Sequence, residues 1–187
     1  MSGIITSGIN RSSGLLKAAA SGGNTPMFMA IRGLDSATGD DVRQLLDDAA
    51  YDKCEFNQVT IDTDSCYDAS NFRFTPNVAG HYFLECNYTV GSYTDRHIDS
   101  YVFFRKNGGT GDNILAGDRW QGSQSSGYTY DQERCGSFTA IEQFNGTTDY
   151  VEVWAYYNVT VHTGRLDGGN SASGRRQSYF QGFRLGE

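Results

Sequence analysis

Hydrophobic and polar residues alternate from residue 27 onward with a period of two, which is the pattern of half-buried β-strands. The clearest segment is 150–161, where one face carries Val151, Val153, Ala155, Tyr157, Val159 and Val161. Residues 81–90 repeat the pattern, with Tyr82, Leu84, Cys86, Tyr88 and Val90 on one face. The two segments predict strands that each turn one face toward a hydrophobic core.

Two further segments, 98–105 and 178–185, alternate but carry aromatic residues on both faces, as residues 81–90 also do. The aromatic neighbours that point to opposite faces are Phe83 and Tyr82, Phe103 and Phe104, and Phe180 and Tyr179. A monomeric sandwich needs only one apolar face on each strand, so a second aromatic face favours burial against another subunit. The alternative is that the tyrosines simply tolerate half-exposure.

Shorter alternating segments predict additional strands at 27–33, 53–61, 71–75, 113–119 and 134–144. Turn-forming pairs such as Asn145-Gly146 separate the segments. One short helix is expected near 40–50, where Val42, Leu45, Leu46 and Ala49 fall at helical spacing. The predicted fold class is therefore an all-β, two-sheet antiparallel jelly-roll sandwich with at most that one helix.

Residues 1–26 differ from the rest, because Gly, Ser, Ala and Thr dominate and no acidic residue occurs. Such a segment buries too little by itself to offset the entropy of ordering, so it predicts an extended arm that docks on another chain. The candidate anchoring residues are Ile4, Ile5, Arg11, Leu15, Leu16 and Lys17. We therefore divide the chain into an arm, 1–26, and a jelly-roll head, 27–187; the alternative is that the arm folds back on its own head.

Charge and hydropathy argue against two classes of partner, nucleic acid and membrane. The formal net charge is −7, whereas proteins that bind nucleic acid usually carry a basic field. No segment approaches the roughly 18 consecutive apolar residues that a membrane helix needs. A polar interruption around Arg11 also argues against a secretory signal. We expect neither nucleic acid nor membrane as a partner.

The metal-ligating residue types show no clustering that predicts a metal site. The cysteines are Cys54, Cys66, Cys86 and Cys135. They lack a C-x-x-C pair, and we favour four buried thiols over disulfides because a chain of this length needs no cross-links. Asp62, Asp64 and Asp68 have the oxygen ligands that calcium prefers, but aspartates in turns mostly cap backbone amides.

No sequence pattern predicts catalysis. The nucleophile-elbow, metalloprotease and phosphate-loop motifs do not occur. His97, close to Asp95 and Asp99, is the nearest approach to a catalytic dyad, and a surface polar cluster is the simpler interpretation. We expect a protein that is not an enzyme and needs no cofactor.

Residues 119–131 have the composition of an adaptable recognition loop. They combine Trp120, Tyr128 and Tyr130 with Ser, Gln and Gly. Aromatic rings stack on sugars or on other chains, and small polar groups supply hydrogen bonds. The three aromatic residues are candidates for ligand recognition; the alternative is an ordinary long turn.

The order and spacing of several motifs across residues 27–187 resemble the complement-globular-head family, the trimeric jelly rolls related to tumour necrosis factor. The similar segments are CEFNQVTID at 54–62, FRFTPNVAGHYF at 72–83, FRKNG at 104–108, DYVEVW at 149–154 and YFQGFRL at 179–185. Leu84 stands where that family has a further Phe. The resemblance implies a homotrimer with aromatic residues near a threefold axis, and the matching positions are Phe83, Phe103 and Phe180.

A Gly/Ser arm before such a head, without a collagen-like repeat, resembles virion proteins of tailed bacteriophages. The resemblance implies a non-enzymatic virion protein, assembled in the host cytoplasm, that decorates the capsid and binds the major capsid protein through residues 1–26. The main alternative is a tail or fibre adhesin whose loops recognise a host surface glycan. A secreted lectin-like module and a depolymerising enzyme are lesser alternatives.

Overall fold

The computed structural model describes residues 25–33, 43–92, 97–108, 113–122, 132–159, 164–168 and 178–186, and within them the regular structure consists of strands. The strands are β1 (Met27–Ile31), β2 (Arg43–Leu46), β3 (Ala50–Lys53), β4 (Gln58–Asp62), β5 (Tyr67–Asp68), β6 (Arg73–Phe74), β7 (Gly80–Ser92), β8 (His97–Lys106), β9 (Ile114–Gln121), β10 (Gln132–Phe144), β11 (Val151–Val159), β12 (Gly164–Asp167) and β13 (Tyr179–Gly186). No helix in these ranges is long and apolar enough to span a membrane.

The strands form two antiparallel sheets. The first sheet has the order β2-β12-β7-β13-β1-β4. β12 and β13 pair with the same edge of the long strand β7, at residues 90–92 and 81–87, and β10 pairs with its opposite edge. The second sheet has the order β5-β6-β11-β8-β9, and β3 also pairs with β11. The all-β, two-sheet jelly-roll prediction is confirmed.

The core lies between the sheets and is built from the alternating faces. The inward side chains of β7 (Tyr82, Leu84, Cys86, Tyr88 and Val90) and of β11 (Val151, Val153, Ala155, Tyr157 and Val159) are all at most 2% exposed. Aromatic rings fill the space between them: Phe28 stacks on Phe74 with centroids 4.1 Å apart and meets Phe180 edge-on at 4.7 Å. Burial of this apolar surface is the main term that holds the sheets together.

The prediction of a short helix near 40–50 is wrong for residues 43–50, the part of that range that the structure describes. Residues Arg43–Leu46 and Ala50–Lys53 are strands, joined by a turn in which Ala49 has a φ of 53°. Leu46 is fully buried whereas Leu45 is 63% exposed, so neighbouring residues face opposite ways. Two adjacent leucines fit helical spacing as well as they fit a strand, and the pairing of β2 with β12 selects the strand.

The two ends of the sandwich carry different parts of the chain. At one end, Met27 lies opposite Phe183, and the Arg184 N–H donates to the Pro26 carbonyl oxygen at 3.0 Å. At the other end, β9 finishes and β10 begins, since Gln121 pairs with Asp99 and Gln132 pairs with Ser92. Pro26 and the adjoining ends of β9 and β10 therefore lie at opposite ends of the sandwich.

Candidate interaction surfaces

The outer face of the first sheet, formed by side chains of β1, β7, β10 and β13 that point away from the core, is the first candidate surface. Backbone register aligns Met27, Phe183, Phe83 and Ile141 across four neighbouring strands. The rings of Phe83 and Phe183 are 5.2 Å apart. Met27 is 41% exposed, Phe183 40% and Ile141 63%, so an apolar row crosses the sheet in contact with solvent.

A shallow groove of about 120 Å³ lies at one side of this row. Its walls include Met29, Ile61, Gln181 and Phe183. Gly182 forms part of the floor, and a Cβ there would stand 2.9 Å from the Phe83 carbonyl oxygen. The glycine thus allows β13 to approach its neighbours closely.

A carboxylate with two donors lies next to the apolar row. Glu85 accepts hydrogen bonds from the Tyr179 hydroxyl at 3.1 Å and the Gln181 amide at 2.7 Å. Burial, and then the hydrogen bond to Glu85, raise the pKa of Tyr179 above its usual value. Because Glu85 already has donors from its own chain, burying it against another molecule costs less than burying a bare carboxylate.

The structure corrects the assignment of Phe180 to a threefold axis. Phe180 is fully buried within one chain and packs against Phe28, Phe56 and Phe104. It is a core residue and offers no surface to a second copy. Its neighbours on the other face of β13, Tyr179 and Phe183, occupy the outer face instead.

Phe103 likewise does not join Phe83. It lies on the outer face of the second sheet and is fully buried there by its own chain. Tyr101 stacks on it at 4.6 Å, Tyr51 meets it edge-on at 6.0 Å, and the Arg105 guanidinium lies 5.2 Å from its centroid. Of the three aromatic candidates, Phe83 alone lies on the exposed outer face of the first sheet.

The remaining candidates are only partly covered by the structure. Trp120 is half-buried on β9, and the Arg134 guanidinium lies 4.0 Å from its ring centroid. Tyr128 and Tyr130 lie outside the described residues. The arm candidates Ile4, Ile5, Arg11, Leu15, Leu16 and Lys17 also lie outside them.

The simpler interpretations hold for three of the four cysteines and for Asp62 and Asp68, whose carboxylates accept hydrogen bonds from backbone N–H groups. All four thiols are free; Cys54, Cys66 and Cys86 are buried, but Cys135 is exposed on β10, where its sulfur lies 3.3 Å from the Thr89 hydroxyl. Asp62 accepts hydrogen bonds from the backbone N–H groups of Cys66 and Tyr67. No metal-binding cluster of His, Cys, Asp or Glu is found among the described residues.

Sequence reasoning missed Phe183, Glu85 and Ile141 as surface residues. Alternation separates Phe183 from Phe180 correctly, but alternation does not say which face is the core when both are aromatic. The pairing of β13 with β7 identifies the core face, because Gly182, on the same face as Phe180, lies opposite the buried Leu84. That register depends on contacts distant in sequence.

Comparisons with known proteins match the fold and nothing more specific. No family model and no curated protein matches the chain. The structure of Eiger TNF from S. frugiperda superposes with a TM-score of 0.51 at 12% identity, over 87% of this chain and 92% of that one. The crystal structure of murine APRIL at pH 8.0 gives 0.52 at 8% identity, over 87% and 100%. These likenesses confirm the expected tumour-necrosis-factor-like jelly roll.

Proposed function

We propose that the chain is a non-enzymatic, homotrimeric head whose copies associate through the outer face of the first sheet. The observation that carries this proposal is the exposed apolar row of Met27, Phe183, Phe83 and Ile141. Contiguous apolar surface of this kind, bordered by polar groups such as Glu85, is typical of a subunit interface. The resemblance to trimeric jelly rolls supports three copies rather than two.

The more specific role that we propose is a virion protein of a tailed phage, assembled in the host cytoplasm and attached to the capsid by residues 1–26. The arm's two apolar pairs and its charge of +2 suit an acidic surface on a capsid protein. The head adds a second argument, because Pro26 lies at the end of the sandwich opposite the end where β9 finishes and β10 begins. In this proposal the end of the head at Pro26 faces the capsid, and the opposite end points away from it.

Sedimentation of the full chain tests the assembly. The wild type is expected to sediment as a trimer. Phe183→Asp should yield folded monomers, because a charge then lies in the apolar row while the core is untouched. Ile114→Asp is the matched control, since Ile114 is 37% exposed on the second sheet, and it should remain trimeric. A monomeric wild type, or a trimer that Phe183→Asp leaves intact, contradicts the proposal.

Gradient fractionation of phage particles tests the location. An epitope-tagged chain should sediment with assembled capsids. Ile5→Asp combined with Leu16→Asp should leave the trimer intact in solution and remove it from particles. Detection on the tail or fibre in place of the capsid would favour the adhesin alternative, and absence from particles would contradict the virion role.

A further inference from the structure

The outer face of the second sheet carries a cluster of aromatic and charged side chains that the proposed assembly does not use. We call Tyr51, Lys53, Arg73, Arg105, Glu152 and Trp154 the aromatic–cationic cluster. Register places Lys53 beside Trp154 and Arg73 beside Glu152 on β11, with Arg105 of β8 on the other side of Glu152. The cluster therefore spans four strands of one chain and needs no second copy.

Glu152 is the cluster's only carboxylate, and its oxygens are already occupied. Oε1 accepts from Lys53 Nζ at 2.8 Å and from Arg73 Nη2 at 2.8 Å, and Oε2 accepts from Trp154 Nε1 at 3.0 Å. Burial opposes ionisation, but these donors outweigh it and hold the pKa of Glu152 below its ordinary value. The group is thus an anion at neutral pH with its hydrogen-bonding capacity in use.

Arg105 is the unusual member of the cluster. Its side chain is largely buried, with 9% of the residue exposed. Within the described part of the chain its guanidinium makes no hydrogen bond or ion pair, and Nε is buried without a partner. The group lies among rings instead, 4.5 Å from the centroid of Trp154 and 5.9 Å from that of Tyr51. Rings attract a cation but do not satisfy its N–H donors.

The charges of the cluster do not balance. Lys53, Arg73 and Arg105 face a single carboxylate, Glu152, which leaves an excess of two positive charges on a chain whose net charge is −7. Buried cations are ordinarily paired, because an unpaired one loses its hydration without compensation. A local positive excess with an unsatisfied guanidinium indicates an anionic ligand.

We propose that the aromatic–cationic cluster binds a carboxylate-bearing sugar unit of an acidic polysaccharide. The two oxygens of a carboxylate match two N–H groups on one edge of a guanidinium. The rings supply the rest of the recognition, since the C–H face of a pyranose packs on an aromatic face such as that of Tyr51, which is 56% exposed. A neutral sugar would leave Arg105 without an acceptor.

Calorimetry of the full wild-type chain with oligogalacturonate tests this inference. Oligogalacturonate should bind, and neutral oligogalactose of equal length should bind at least about tenfold more weakly, because a charge-assisted hydrogen bond is lost. Arg105→Gln should weaken binding by a similar factor. Lys106→Gln removes the same charge one residue away, where Lys106 pairs with Glu142 at 2.8 Å, and should leave the affinity unchanged.

A second variant keeps the test valid if Arg105→Gln fails to fold. Tyr51→Ala changes a largely exposed ring, so the fold should survive while affinity falls severalfold. Equal affinity for the neutral oligosaccharide, or unchanged binding in Tyr51→Ala, overturns the proposal. If inorganic phosphate or a dextran sulfate oligosaccharide, which carries sulfate groups but no carboxylate, binds as tightly as oligogalacturonate, the cluster is a general anion site and the sugar-carboxylate assignment is overturned. Trimer formation is measured separately, by sedimentation, so the two proposals fail independently.

Discussion

At the scale of single residues, Phe180 and Phe183 show what alternation does and does not specify. Both are aromatic and lie on one strand, yet Phe180 is fully buried and Phe183 is 40% exposed. The sequence places them correctly on opposite faces. It does not identify the core face, because each face is apolar and only pairing with distant strands decides the matter.

Replacing Phe180 by Ala is expected to lower the free energy of unfolding by about 3–5 kcal/mol, because it opens a cavity among the rings of Phe28, Phe56 and Phe104. Urea denaturation measures the loss. Ile114→Ala, at a partly exposed position, should cost less than about 1 kcal/mol. Similar losses in the two variants would contradict the placement of Phe180 in the core.

At the scale of strands, Glu152 joins three elements of the second sheet. It lies on β11, and its carboxylate binds Lys53 of β3 and Arg73 of β6. β6 is only two residues long and pairs with β11 through two residue pairs. A short strand of this kind depends on side-chain contacts more than on its ladder, so the carboxylate helps to fix its position.

Glu152→Gln is expected to lower the free energy of unfolding by about 2 kcal/mol at pH 7, because two cations lose a charged acceptor. The pKa of Glu152 is lowered in the folded chain, so its contribution is complete above the unfolded value, near 4.5, and is lost as the pH falls through the folded pKa. The difference between variant and wild type should therefore shrink when denaturation is repeated at pH 3.

Glu142→Gln provides the comparison. Its ion pair with Lys106 is nearer the surface, with side-chain exposures of 30% and 19%. Surface pairs contribute little, so this variant should cost less than about 1 kcal/mol at pH 7. A Glu152→Gln effect that is no larger, or that does not change with pH, would count against the role given to Glu152.

The strands also show where sequence reasoning reached its limit. Long alternating segments such as 81–90 and 150–161 define β7 and β11, because burial of one face imposes a period of two. Segment 40–50 is too short for its period to distinguish helix from strand. Pairing of Gly164 with Leu46 places β2 beside β12, a contact more than a hundred residues apart that local spacing does not encode.

At the scale of the whole molecule, the reactivity of the four thiols can be used to test the fold and the proposed assembly. Cys54, Cys66 and Cys86 are buried, and burial raises the pKa of each thiol; Cys135 is exposed on the first sheet. The thiolate is the reactive form. A disulfide reagent should therefore modify one thiol per native chain and four after unfolding.

The rate at Cys135 tests the proposed interface. Cys135 lies on the sheet whose outer face we assign to subunit contacts. If the proposed trimer forms, Cys135 should react more slowly in the wild type than in Phe183→Asp, when both are measured with the same reagent at neutral pH. Equal rates would contradict the assignment of the outer face of β10 at Cys135 to subunit contacts.

At the scale of the whole molecule, some features of the surfaces could be predicted from the sequence and others could not. The fold and the presence of spare aromatic faces follow from alternation and motif order. The aromatic–cationic cluster does not, because Lys53, Arg105 and Glu152 come from three distant segments and meet only through register. Phe103 illustrates the difficulty, since an outward aromatic residue can be covered by its own chain as well as by another.

The antiparallel pairing of β1 with β13 has a practical consequence for anyone who uses this protein to present cargo. Because Pro26 and Arg184 are hydrogen-bonded neighbours, a peptide fused after Glu187 would leave the head close to Pro26, at the end that we propose faces the capsid. A peptide inserted between β9 and β10 would emerge from the far end, about the length of the sheet away. If the head is attached to particles as proposed, antibodies should reach the second peptide on intact particles and be hindered from reaching the first.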